Sequence, residues 1–176
     1  TVINCCVLNY LCFITVGTTR FDLLVETIMT PAVLKSLYKI GCRYLTIQIG
    51  NSNVAPGIYD KEGIKINVYK FKDSLAEDVL SADFIISHAG AGSCLEALEA
   101  QKPLLVVINE ELMDNHQIEL AEQLQIDGHL YYCTCDGIEM ALDSLDFNLL
   151  KKFEKPDTTI FLEYLDNVFK VKPKAN

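Results

Sequence analysis

Asp83-Phe84-Ile85-Ile86-Ser87-His88-Ala89-Gly90-Ala91-Gly92-Ser93 is the stretch that decides how this chain folds. Residues 83–87 read as a short apolar strand, His88 to Gly92 as a tight turn, and Ser93 as the opening of a helix that reaches about Gln101. Strand, glycine turn and helix in that order are the repeating step of an α/β sheet.

The same step recurs on both sides. Upstream, Phe13 to Val16 is an apolar run closed by Gly17-Thr18-Thr19, with a helix expected from about Phe21 and an S/T-x-x-D capping pair in Thr19 and Asp22. Pro31 splits that helical region in two. Tyr44 to Ile49 is the next strand, closed by Gly50. A polar loop from Asn51 to Gly57 leads to a strand near Ile64 to Phe71, and Ser74 and Glu77 cap a short helix. Downstream, Pro103 to Ile108 is an unbroken apolar run, as expected of a strand buried on both faces. Asp114 to about Leu124 is helical and Leu130 to Cys133 is the last strand. The alternation predicts a Rossmann-like, mostly parallel sheet with helices on both faces. One domain is expected over residues 1–176, with residues 1–12 atypical and a C-terminal helix near 158–171. Ile160, Phe161, Tyr164, Leu165, Val168 and Phe169 form one apolar stripe on that helix, suited to packing on the parent sheet or to docking another subunit.

Composition narrows the function. The formal net charge of −9 argues against nucleic acid and against adsorption to anionic lipid, since both require a basic surface. Seven cysteines, an odd number with no C-x-x-C pair, suit a reducing compartment better than a disulfide framework. Cys133 and Cys135 would share a strand face, but no second ligand pair accompanies them, so no metal site is assigned. The apolar run from Val2 to Val16 falls short of the ~20 residues a membrane span needs. It has neither the basic start nor the cleavage site of a signal peptide. Lacking an initiator Met, the sequence reads as a fragment or a processed product.

Ligands of open parallel sheets bind beyond the carboxyl ends of the strands. Three turns there have suitable residues: Gly17-Thr18-Thr19, His88 to Ser93, and Asn109 to Gln117. In the second, Gly90 and Gly92 remove Cβ atoms where a ligand approaches the backbone, and the helix N-terminus can hold a diphosphate without a lysine. It is not the dinucleotide fingerprint, because Leu95 stands where the third glycine belongs. Glu96 either closes a capping box with Ser93 or accepts hydrogen bonds from ribose hydroxyls. Gln117, three residues after Asp114, poses the same choice. No catalytic side chain is assigned: His88, directly after a strand, reads first as structural, with a catalytic role as the alternative. No Ser-His-Asp order and no glycosidase carboxylate pair is present.

Several longer motifs then match one family in order and spacing. They are Thr15-Val16-Gly17-Thr18-Thr19-Arg20-Phe21-Asp22, Ile47-Gln48-Ile49-Gly50, Asp73-Ser74-Leu75-Ala76-Glu77-Asp78, Ala82 through Ser93, and Leu112-Met113-Asp114-Asn115-His116-Gln117-Ile118-Glu119-Leu120-Ala121. Over about residues 13–135 the chain resembles the catalytic subunits of the eukaryotic UDP-N-acetylglucosamine transferase of lipid-linked oligosaccharide synthesis. Those subunits are similar to the C-terminal domain of the bacterial MurG glycosyltransferase. The sequence departs from the family at residues 1 to about 10, which look like added or altered sequence, and at Cys94, where an aliphatic residue is usual.

The resemblance implies the C-terminal, donor-binding half of a GT-B glycosyltransferase. It implies transfer of N-acetylglucosamine from UDP-GlcNAc to dolichyl-diphospho-N-acetylglucosamine with inversion, on the cytosolic face of the endoplasmic reticulum. The acceptor-binding half would be a separate membrane-anchored subunit, which would also supply the general base. No cofactor or metal is implied. By the same resemblance, Gly17, Thr18 and Thr19 lie near the diphosphate and the backbone near Phe71 meets the uracil. His88, Ala89, Gly90, Ala91, Gly92 and Ser93 cradle the phosphates, Glu96 bonds the ribose, and Asn115, His116 and Gln117 face the sugar and phosphates. Two other readings share these motifs: a donor-binding subunit of another polysaccharide transferase, and a non-catalytic UDP-sugar-binding regulatory module.

Overall fold

Each strand–turn–helix step of the sequence becomes one crossover of a single seven-stranded sheet in the computed structural model, which describes residues 9–110, 115–144 and 146–154. The strands are β1 (Tyr10–Thr15), β2 (Cys42–Gln48), β3 (Gly57–Lys61), β4 (Ile64–Tyr69), β5 (Phe84–His88), β6 (Leu104–Ile108) and β7 (Tyr131–Thr134). The helices are α1 (Asp22–Ile28), α2 (Pro31–Lys39), α3 (Ala76–Ser81), α4 (Ala91–Glu99), α5 (Asn115–Ile126) and α6 (Ile138–Ser144). Spatial order is β3-β4-β2-β1-β5-β6-β7, and only the β3–β4 pairing is antiparallel. The Rossmann-like, mostly parallel sheet expected from sequence is present. The chain runs outward from β1 towards β2 and β4, then returns to β5 on the other side of β1. The carboxyl ends of β1 and β5 therefore flank the point where strand order reverses, where such sheets bind ligands.

Two cores sandwich the sheet. Strand residues alternate between them: Cys12, Ile14, Phe84, Ile86, Leu105 and Val107 belong to one, and Phe13, Ile85, Leu104 and Val106 to the other. The first core takes the buried faces of α1, α2 and α6, and the second those of α3, α4 and α5. All five residues of β6 are buried, which is why its sequence shows no alternation. Each fully buried Leu, Ile or Phe is worth about 1.5–3 kcal/mol over an exposed one.

Several expectations are corrected. The Thr19–Asp22 capping pair does not form. The Thr19 hydroxyl donates to the Val16 carbonyl at 2.7 Å, Asp22 binds Arg20 and the Asn53 amide, and α1 starts without a side-chain cap. Ser74 accepts from the Ala76 amide at 3.2 Å but Leu75 occupies the cap position of α3, so Ser74 and Glu77 do not box that helix. Helix α4 begins at Ala91 after a Gly90 cap, two residues before the Ser93 expected from sequence. Strand β3 and helix α6 are additions. β3 is an exposed, largely polar edge strand, joined to β4 by Glu62 and Gly63, both at positive φ as a type I′ turn requires. Pro31 does split the helical region, with the Thr30 hydroxyl accepting from the Val33 amide. Residues 1–8, which include most of the atypical segment, lie outside the described residues, as do Asp114 and the stripe near 158–171. Among the described residues no helix is long and apolar enough to cross a membrane.

Candidate functional site

Where strand order reverses, the carboxyl ends of β1, β2, β4 and β5 and the first turns of α4 enclose a cleft of about 440 Å³. Gly17, Thr18, Gln48, Phe71, Lys72, Leu75, His88, Gly90, Gly92, Ser93 and Glu96 line it. The volume falls in the range typical of small-molecule sites.

The floor is built from the turn after β1. Gly17 has φ +64, a left-handed conformation that glycine adopts without strain. A side chain there would also meet His88, with its Cβ 2.8 Å from the ring Cε1. Beneath the turn lies Gln48, the last residue of β2 and 2% exposed. Its Oε1 accepts from the Thr15 hydroxyl at 2.6 Å and the Gly17 amide at 3.0 Å. Its Nε2 donates to the Gly17 carbonyl at 2.8 Å and to the Lys70 carbonyl at 2.9 Å. Asn51 completes the support, donating through Nδ2 to the Thr18 carbonyl and through its amide to Thr19.

His88 ends β5 with its ring wedged between two glycines: a Cβ added at Gly90 would fall on its Nε2, deep inside van der Waals contact. Burial holds the ring below its ordinary pKa, although the Thr15 carbonyl favours the protonated form. Its Nδ1 is buried and makes no well-formed hydrogen bond. The imidazole is therefore neutral near pH 7.

The rim is different. Gly92 stands in the first turn of α4, and a Cβ there would meet nothing within 4 Å. No side chain caps the helix, so the amides of Ala91, Gly92 and Ser93 are among those an α-helix leaves without intrahelical partners. They carry the positive end of the helix dipole to the edge of the cleft. With the cap at Gly90, Glu96 lies too deep in the helix for a capping box, which removes the structural alternative offered for it by the sequence. Glu96 is exposed and lines the cleft. Across from it stand Phe71, which is 53% exposed, and Lys72. The Lys72 ammonium lies 2.8 Å from both Asp78 carboxylate oxygens and 4.5 Å from the centre of the Tyr69 ring. Tyr69 donates to Asp78 at 2.5 Å, and burial with this carboxylate raises its pKa.

Of the residues singled out from sequence, Gly17, Thr18, Phe71, His88, Gly90, Gly92, Ser93 and Glu96 come together here. Thr19 does not line the cleft, its hydroxyl being turned to Val16. Ala89 is buried in the second core, and Ala91 is exposed on α4 outside the lining. Asn115, His116 and Gln117 form the first turn of α5, but their side chains lie outside the described structure. Cys94 fills the second core as a small apolar group, its thiol pushed up to about 12 by burial. Gln48, Lys72 and Leu75 also line the cleft, though the sequence gives none of them a site role. Gln48 had a readable signal, since an amide inside an apolar strand needs buried partners. Cys133 and Cys135 both pack against the first core, Cys135 from a 3-10 turn beyond the strand. Among the described residues no group of three or more His, Cys, Asp or Glu is placed to hold a metal ion.

Comparison with known proteins bears on the family and the fold. Residues 11–168 match the glycosyltransferase family 28 C-terminal domain. A human protein named UDP-N-acetylglucosamine transferase subunit ALG13 is 54% identical over 123 residues, covering 70% of this chain and 11% of the human protein. The chain thus spans about a tenth of the length of the mammalian relatives it matches. Among solved structures, the solution structure of ALG13 superposes with a TM-score of 0.67 at 24% identity, covering 89% of this chain and 94% of that one. MurG of Acinetobacter baumannii superposes with a TM-score of 0.65 at 22% identity, covering 92% of this chain and 50% of that one. These likenesses place the fold among the C-terminal halves of GT-B glycosyltransferases.

Proposed function

Because the chain belongs to the glycosyltransferase family 28 C-terminal domains, we propose that its cleft holds UDP-N-acetylglucosamine and presents the sugar for transfer to dolichyl-diphospho-N-acetylglucosamine. One observation carries the reading. The glycine turn after β5 delivers an uncapped helix N-terminus to a cleft whose opposite wall offers an exposed aromatic residue, Phe71, with Glu96 free of any capping role. The diphosphate lies against the α4 amides and the Gly17 turn, the ribose hydroxyls donate to Glu96, and the uracil meets the backbone near Phe71. Asn115, His116 and Gln117 complete the sugar side.

In the reaction the acceptor hydroxyl attacks the anomeric carbon and inverts it. The bond from that carbon to the diphosphate oxygen breaks, and UDP leaves with the electron pair. Negative charge grows on the diphosphate, where fixed backbone dipoles stabilise it without reorganising. His88, neutral and packed between Gly17 and Gly90, sets the shape of that cradle without adding a buried charge to it. The hydroxyl proton goes to a base on the acceptor-binding half, because the described cleft offers no second carboxylate beside Glu96. That half is a membrane-anchored subunit at the cytosolic face of the endoplasmic reticulum. The word "subunit" in the relatives' names supports the division of labour.

Transfer of labelled N-acetylglucosamine to the lipid-linked acceptor tests the proposal, with the chain alone and with its membrane-anchored partner. Transfer only in the reconstituted pair is expected. Strong transfer by the isolated chain to a soluble acceptor contradicts it. UDP-glucose outcompeting UDP-GlcNAc in the pair would assign the chain to another polysaccharide transferase.

A further inference from the structure

We propose that Gln48 is a positioning residue that fixes the spacing between the two walls of the cleft, and with it the grip on the nucleoside diphosphate. The inference rests on the donor-binding reading above but comes from a separate observation. A buried glutamine can accept through Oε1 and donate through both hydrogens of Nε2. Here all of that capacity is used, and it is divided between two loops. The Gly17 amide and carbonyl are held on the diphosphate side, by Oε1 and Nε2 respectively. The Lys70 carbonyl, immediately before Phe71 and Lys72, is held on the nucleobase side by the same Nε2.

The sheet makes this strap possible. In parallel register Gln48 lies between Thr15 of β1 and Tyr69 of β4, so its side chain ends where both strands release their loops. Backbone bonds add to each side: the Val16 amide donates to the Gln48 carbonyl at 3.1 Å, and the Gly50 amide to the Lys70 carbonyl at 3.2 Å. Gly50 and Asn51 also reach both loops, through the Lys70 carbonyl on one side and the Thr18 and Thr19 carbonyls on the other, whereas the Gln48 amide joins them through a single group and at Gly17 itself. A ligand that spans both walls needs their separation set before it arrives, because ordering loops on binding weakens affinity. A nucleoside diphosphate, with its base at one wall and its phosphates at the other, is such a ligand.

The test uses Gln48→Glu and Gln48→Met, with UDP as the probe and far-UV circular dichroism to verify folding. Gln48→Glu keeps the acceptor for Gly17 but replaces the donor by a carboxylate facing two carbonyls. Protonation of that buried acid restores one donor. The variant is therefore expected to lose about tenfold or more in UDP affinity at pH 8 and to recover part of it towards pH 5, relative to the unsubstituted chain at each pH. Gln48→Met removes all the side-chain bonds without adding charge, and should lose affinity equally at both pH values. In labelled protein without ligand, the amide resonances of Gly17 and of Phe71 and Lys72 should shift together in both variants.

Affinity within twofold of the unsubstituted chain in a folded Gln48→Met variant overturns the proposal. So does movement of one wall's resonances while the other stays fixed. If the unsubstituted chain binds no UDP, alone or with its partner, the donor-site reading fails. The coupled shift of the two walls then decides the strap independently.

Discussion

Floor and rim of the cleft are built on opposite plans. On the floor, Gly17, Gln48, His88 and Gly90 fill one another's space, so any added atom meets protein. On the rim, a Cβ at Gly92 meets nothing, and Glu96 and Phe71 face solvent. Gly90 and Gly92 are two residues apart in one turn and look equivalent in sequence, yet a side chain at the first would collide with His88 and one at the second would enter open cleft, where the proposed donor phosphates lie. Floor residues act through shape and should couple stability to binding. Rim residues act on what is bound and should separate the two.

The largest effect belongs to the floor. Gly90→Ala should displace His88, lowering stability by about 1–3 kcal/mol and abolishing measurable UDP binding. Thermal melts beside calorimetric titration read both quantities, and unchanged stability would mean that Gly90 does not belong to a packed floor. Gly17→Ala should follow at about 1–2 kcal/mol, from its left-handed backbone and contact with His88, again with weaker UDP binding.

Gly92→Ala is the sharpest contrast. Alanine in the first turn of α4 should leave stability unchanged or raise it by up to about 1 kcal/mol, while UDP affinity falls by about tenfold. A loss of both together would move Gly92 from rim to floor. Glu96→Gln should reduce UDP affinity by several-fold with the melting temperature unmoved, since Glu96 caps nothing. A 2′-deoxyribose analogue should show little further loss in that variant.

The smallest effect is a pH dependence. Because burial lowers the His88 pKa, the unfolded chain takes up the proton first as pH falls. Stability from this site is complete above the ordinary value of 6.5 and is lost as pH drops from there towards the lower folded-state value. Melting temperatures of the protein and of His88→Gln, followed from pH 8 to about pH 5, should diverge only in the acidic part of that range. Parallel curves throughout would mean that His88 titrates as it does in the unfolded chain.

The sequence revealed the floor and the rim unequally, for physical reasons. Strands β1, β5 and β6 announce themselves because burial on both faces leaves near-continuous apolar runs such as Leu104–Ile108. Strand β3 does not, since an exposed edge strand paired on one side carries residues such as Tyr59, Asp60 and Lys61. The glycine turn was legible as a ligand-approach site, but not the different reasons for its two glycines, because His88's position depends on the β1–β5 register. The Ser93–Glu96 pair illustrates the same limit: the spacing of a capping box was present, but the helix began two residues earlier and left Glu96 for the cleft. Gln48 passed as an ordinary strand residue because its partners are 31 and 22 residues away. The family resemblance named most of the lining, yet Lys72 and Leu75 became visible only when the loop after β4 was folded against α4.

The most direct measurement follows the backbone amides of the isotope-labelled protein during titration with UDP-GlcNAc, alone and with the membrane-anchored partner proposed above. Saturable shifts are expected at Gly17, at 90–93 and at 71–72, with UDP reproducing all but the sugar-side changes. Binding whose shifts cluster at the amino ends of the strands, or no binding even in the presence of the partner, would contradict the assignment of this cleft to the donor.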